Sequence, residues 1–96
     1  MPPVLDTEMP APAPYSLYLL LCKGGVIYAG ITNDVPRRYQ QHCDGKGARF
    51  TRSRPPQKLL CHSAVGDRSA ALKLEYQVKQ LPRAKKVAFV QSLSKT

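Results

Sequence analysis

The chain has 96 residues, the length of one small domain, with 43% hydrophobic and 22% charged residues and no Trp. Fifteen Lys and Arg stand against six Asp and Glu, a formal net charge of +9 at pH 7. No run approaches the ~18 apolar residues of a membrane span. Three cysteines without a Cys-x-x-Cys pair (Cys22, Cys43, Cys61) argue against a disulfide framework or zinc ribbon. The balance predicts a cytoplasmic domain, with no membrane partner, that meets a polyanion.

Residues 1–14 hold five of the nine prolines and both Asp6 and Glu8, with few large apolar groups to bury. They read as a disordered Pro/Ala-rich tail. They lack the basic start and apolar stretch of a signal peptide. Residues 15–96 read as the domain, with 15 basic groups against four acids, a net +11.

Tyr15 to Cys22 and Val26 to Ile31 are strand-like and joined by Lys23-Gly24-Gly25, which predicts a hairpin. A two-residue Gly24-Gly25 turn would put Tyr18 and Tyr28 on opposite faces. A three-residue loop, pairing Cys22 with Val26, would put them on one face. Asn33-Asp34-Val35-Pro36 starts a helix that runs to about Cys43: a capping side chain, then proline in the first turn. Asp44-Gly45-Lys46-Gly47 ends it, and a basic loop follows to Pro55-Pro56. Gln57 to Ala64 reads as a third strand. Asp67 can cap a helix from Arg68 to Leu81. Pro82 then interrupts and begins another, with Ala84, Val87 and Val90 as its stripe. The order β-β-α-β-α-α predicts a small α/β (α+β) sandwich, a three-stranded antiparallel sheet flanked by helices.

Glu75 lies about 40° from Ala71 around its helix, at the edge of an apolar stripe of Ala71, Leu74, Val78 and Leu81. A carboxylate there needs a cation, a metal or donors; the plainer reading pairs it with Lys79 at i+4, worth ~0.3–0.5 kcal/mol. Arg38 and His42 share a helix face. They join a guanidinium that can grip phosphate to an imidazole that can move a proton, or they are a solvated basic face with an incidental His. Tyr18 and Tyr28, as strand residues, read most simply as core or sheet-face packing, and the hairpin register decides whether they are neighbours. Arg37, Lys46, Arg49, Arg52 and Arg54, with Lys79 beyond, form a basic surface suited to phosphate contacts. Four acids are too few for a two-metal carboxylate site.

Ser16-Leu17-Tyr18, Tyr28-Ala29-Gly30, Arg38, His42 and Glu75, in this order, resemble the GIY-YIG nuclease superfamily in its small single-domain bacterial branch. So does the run Gly45-Lys46-Gly47-Ala48-Arg49-Phe50-Thr51-Arg52. Ser16-Leu17 stands where the first motif has Gly-Ile, and Ala29 where the second has Ile. The resemblance implies a nuclease domain over 15–96 and hydrolysis of phosphodiester bonds in DNA, single-stranded or branched, with DNA ahead of RNA. Its implied catalytic residues are Tyr18, Tyr28, Arg38, His42 and Glu75, with Glu75 holding one Mg²⁺ or Mn²⁺ ion. Tyr18 would position or deprotonate the attacking water, assisted by Tyr28 or His42, and nearby cations would have to lower its phenolic pKa. The alternative is a non-catalytic or partner-dependent nucleic-acid-binding module working with a DNA-repair protein.

Overall fold

The apolar run Leu17 to Cys22 belongs to the central strand of a three-stranded antiparallel sheet, β1 (Tyr15–Cys22). Its neighbours are β2 (Val26–Thr32) and β3 (Pro56–Gly66). The computed structural model describes residues 14–94, and the predicted tail up to residue 13 lies outside them. Helices cover both faces of β1, so the strand has no solvent side and its sequence is a continuous apolar run. Leu17, Tyr18, Leu19 and Leu20 are all buried. The two-residue period of the strand sorts them. Leu17 and Leu19 pack with Ala29, Val78 and Val90 on one face. Tyr18, Leu20 and Cys22 pack with Tyr28, Tyr39 and Leu59 on the other. Each buried leucine contributes about 1.5–3 kcal/mol.

The hairpin takes the three-residue loop. Cys22 pairs with Val26, Leu20 with Tyr28 and Tyr18 with Gly30, so Tyr18 and Tyr28 share a face on a diagonal. Gly24 and Gly25 both have positive φ, 87° and 76°, a conformation that glycine adopts without steric penalty.

Helix α1 (Val35–Cys43) starts as its cap dictates. The Asp34 carboxylate accepts from the Arg37 N–H at 3.2 Å, with Pro36 in the first turn. The stretch read as a basic loop contains one short helix, α2 (Arg49–Ser53). It escapes detection because five residues are too few for a periodic stripe. β3 extends beyond Gln57 to Ala64 at both ends. Asp67 caps α3 (Arg68–Lys79), accepting from Ala70 N–H at 2.8 Å. This helix stops two residues short of Leu81. The Gln80 and Leu81 N–H groups turn back to Gln77 and Val78 carbonyls at 3.1 Å, since the residue before Pro82 disfavours helical geometry. In α4 (Arg83–Ser92), Val90 is buried and Val87 and Phe89 pack on the core, while Ala84 is exposed. The core-facing stripe is thus turned toward Phe89, about 140° round the helix from Ala84.

The result is an α+β fold. α1 and α2 lie on the Tyr18 face and α3 and α4 on the opposite one, with the predicted elements in the predicted order. All three cysteines are free. No helix among the described residues is long and apolar enough to cross a membrane.

Candidate active site

The site forms at the edge strand β2, where α1 and α3 approach it from opposite faces of the sheet. An open cleft of about 520 Å³ is lined by Tyr28 and Gly30 of β2, Arg37 and Arg38 of α1, and Arg68 and Glu75 of α3, among others. The helix-edge position of Glu75 decides its place. Ala71 and Val78 on the same helix are buried in the core, and the carboxylate beside them turns round the sheet edge into the cleft with 19% of its side chain exposed. Its ion-pair partner is the one the spacing predicts, Lys79 Nζ at 3.3 Å. Lys79, a predicted phosphate contact, is thus engaged with the carboxylate.

Beneath the cleft, Tyr18 is 2% exposed and His42 is fully buried. The Tyr18 hydroxyl lies 2.8 Å from His42 Nε2. His42 is not the incidental member of a solvated face: helix periodicity carries the Arg38 side of α1 inward one turn later. The Tyr28 ring joins the two levels, 6.5 Å from Tyr18 and 5.3 Å from His42 between centroids. The five predicted catalytic residues therefore occupy one region. Tyr28, Arg38 and Glu75 open to the cleft, while Tyr18 and His42 form the buried layer behind it.

Burial dominates the electrostatics. It pushes the Tyr18 phenol up to about 12, with the neighbouring Tyr28 adding to the rise and Arg38 opposing it. The expectation that nearby cations lower this pKa is corrected: desolvation of the phenolate outweighs Arg38. Burial also raises the Tyr28 phenol. It lowers His42 to about 4, helped by the positive charge of Arg38. At neutral pH the imidazole is neutral and both phenols keep their protons.

The predicted phosphate contacts fall into two groups. Arg37 lines the cleft, while Lys46, Arg49, Arg52 and Arg54 are exposed on the α1–α2 connection and on and after α2. The sequence showed Phe50 only as a member of the motif run, with no role, and Gln41 and Arg68 not at all as site residues. Phe50 stacks on Tyr28 at 5.7 Å and 19°. Gln41 Oε1 accepts from Arg38 Nη1 at 2.9 Å and holds the guanidinium toward the cleft. The Phe50 signal was present as the single aromatic in a run of cations. No group of three His, Cys, Asp or Glu side chains that could share a metal lies among the described residues.

A family model described as the GIY-YIG catalytic domain matches residues 14–88. The chain belongs to the GIY-YIG family. It is similar to a UPF0213 protein of Xanthomonas campestris, 51% identical over 84 residues, spanning 88% of this chain and 82% of that one. A UPF0213 protein of Vibrio cholerae is 40% identical over 92 residues, 95% and 91% of the two chains. Among solved structures it is similar to a UPF0213 protein of Bacillus halodurans, 41% identical, with a TM-score of 0.49 over 84% and 86% of the chains.

In this GIY-YIG domain, Gly30 is what lets the Tyr18 ring reach His42. A Cβ on Gly30 would sit 2.5 Å from the Tyr18 hydroxyl and 2.7 Å from its Cζ, far inside van der Waals contact. Gly30→Ala is expected to lower stability by about 1–3 kcal/mol and to swing Tyr18 off His42. Urea unfolding measures the first effect and the His42 ring ¹⁵N shifts the second. An unchanged urea midpoint with unchanged ring shifts would refute this role.

Proposed function

We propose that this domain is a metal-dependent endonuclease that hydrolyses phosphodiester bonds, with DNA as substrate. The observation that carries this reading is the convergence of Tyr28, Arg38 and Glu75 on one cleft beside the buried Tyr18–His42 pair. The donor set suits a hydrated divalent ion. Glu75 offers one partly desolvated hard oxygen, and Asp34, the other acid in the cleft, is engaged as the α1 cap. Mg²⁺ and Mn²⁺ both accept such a site, with water and phosphate as remaining ligands. When bound, the ion would supply charge stabilisation at the leaving oxygen.

The residues of the chain account for the rest. Arg38 spreads positive charge over the non-bridging phosphoryl oxygens as charge develops on them. Arg37, Lys46, Arg49, Arg52 and Arg54 hold flanking phosphates. Tyr18 positions the attacking water through its oxygen, and the buried phenol acts as a relay instead of a free phenolate. As the water oxygen bonds to phosphorus, its proton passes to Tyr18 and the Tyr18 proton passes to His42 Nε2, where burial and Arg38 make the imidazolium transient; once product leaves, the proton returns through Tyr18 to solvent. The bond to the leaving oxygen breaks, and that oxygen takes its proton from solvent. This route needs no lowered phenolic pKa.

The engagement of Glu75 by Lys79 supports a second reading, a binding module active only with a partner such as a repair protein. A cytoplasmic setting suits either. The test is incubation of the purified protein with labelled DNA and RNA, single- and double-stranded, with Mg²⁺ or Mn²⁺ and with chelator. Cleavage of DNA that stops on chelation is the expected result. Binding that weakens steeply with salt, without cleavage under any metal, would establish the second reading instead.

A further inference from the structure

We infer that Thr51 is a positioning residue: its hydroxyl fixes the proton of His42 on Nδ1, so that Nε2 is left to receive the Tyr18 proton. The use of that proton rests on the nuclease reading, but its placement does not.

A hydroxyl and a neutral imidazole each carry a single polar hydrogen, which sets the direction of every contact along this chain. Thr51 is 1% exposed, so its hydroxyl has no solvent to turn to. The hydroxyl lies 2.9 Å from the Ala48 carbonyl and 2.7 Å from His42 Nδ1. A carbonyl only accepts, and a hydroxyl has one hydrogen. The Ala48 oxygen takes the Arg52 N–H at 3.1 Å on one lone pair and the Thr51 hydrogen on the other, which leaves Thr51 Oγ1 to accept from Nδ1. A neutral imidazole has one N–H, and Nδ1 holds it. Nε2 therefore presents a lone pair, and the Tyr18 hydroxyl at 2.8 Å must donate to it. A single backbone oxygen thus orients three successive hydrogen bonds. The opposite tautomer would put an N–H against the Tyr18 oxygen, leaving the pair unable to take up a proton from that side.

The backbone holds the ring in this pose. A Cβ on Gly47 would run into His42 Nδ1, Cε1 and Cγ, so the imidazole lies against a position that only glycine leaves open. Gly47, Ala48 and Thr51 together turn the short α2 segment into the support of a ring on α1. Thr51 itself stands behind that ring, away from the cleft lining.

The experiment compares Thr51→Val, nearly the same shape without the hydroxyl, with Thr51→Ser, which keeps it. Protein labelled with ¹⁵N at histidine is observed by NMR near pH 7. His62, the other histidine, is assigned by its loss in His62→Gln. The wild type is expected to show His42 protonated on Nδ1, Thr51→Val to lose that single-tautomer signature, and Thr51→Ser to recover it. On a cleavable DNA, Thr51→Val is expected to lower kcat about 10–100-fold with KM little changed, and Thr51→Ser to return most of it. A wild-type His42 protonated on Nε2 overturns the inference, whatever the activity. So does Thr51→Val with undiminished kcat. If no nucleic acid is cleaved, the nuclease reading fails, while the wild-type tautomer alone still decides the placement of the proton. That spectrum also decides it if Thr51→Val does not fold.

Discussion

Replacing Glu75 by glutamine is expected to reduce metal-dependent DNA cleavage about 1,000-fold or more, with the fold left intact. Glu75 is the acid of the cleft whose oxygens are not engaged in a helix cap, and glutamine keeps its size while losing the charge that attracts a divalent ion. On the stability side, the Glu75–Lys79 pair is an i,i+4 contact with Lys79 half exposed at 51%. Such a pair contributes only ~0.3–0.5 kcal/mol, so the urea midpoint should barely move. Arg38→Ala is expected to lose about 100–1,000-fold through the phosphoryl oxygens, with a smaller effect on Mn²⁺ binding than Glu75→Gln. Initial cleavage rates, urea unfolding and Mn²⁺-induced NMR line broadening separate these effects. Cleavage by Glu75→Gln at the wild-type rate would remove the carboxylate from the mechanism.

Stability is expected to fall by up to about 3 kcal/mol as the pH drops from 7 to 4, through His42. Above the ordinary histidine pKa of 6.5 the imidazole is neutral in both folded and unfolded chains, and the full stability is present. Below it the unfolded chain takes up a proton. The folded one refuses it until about 4, because burial and the charge of Arg38 disfavour the imidazolium. The unfolded state therefore binds more protons in this window, stability declines as pH falls through it, and the loss levels off near the folded value. Urea unfolding at intervals from pH 7.5 to 4 measures the slope. His42→Gln, whose side chain does not titrate, should be less stable at pH 7.5 yet show a flatter profile. Parallel profiles for the two proteins would mean that His42 titrates freely in the folded state. Activity, by contrast, should hold down to the folded value near 4, below which the imidazole is already protonated and cannot accept the Tyr18 proton.

Much of the site was legible before folding was considered. Glu75 stands out because a carboxylate at the margin of an apolar helical stripe needs a partner, and the stripe of α3 is read directly from periodicity. Arg38 and His42 share a face by spacing alone. Asp34-Val35-Pro36 and Asp67 mark helix starts through local hydrogen bonding that depends on a few neighbouring residues. Other features were not readable in this way. Phe50 and Thr51 lie on a helix too short to show a period, and their partners Tyr28 and His42 are 22 and 9 positions away. The depth of His42 and the rise of the Tyr18 pKa depend on how much water is excluded, which no local pattern encodes.

The order of elements, the basic character of a domain with only four acids, and the motif residues that place the chain in its family can all be read without a structure. Those are properties of short windows and of counting, where backbone preference and charge act locally. The remaining features arise from packing between distant segments. A one-residue difference in the hairpin loop, open on local grounds, sets whether Tyr18 and Tyr28 share a face, because strand side chains alternate. The packing of α1 and α2 against that face then buries His42 between Tyr18 and Thr51. That burial makes a set of motif residues into a directed chain of proton donors and acceptors.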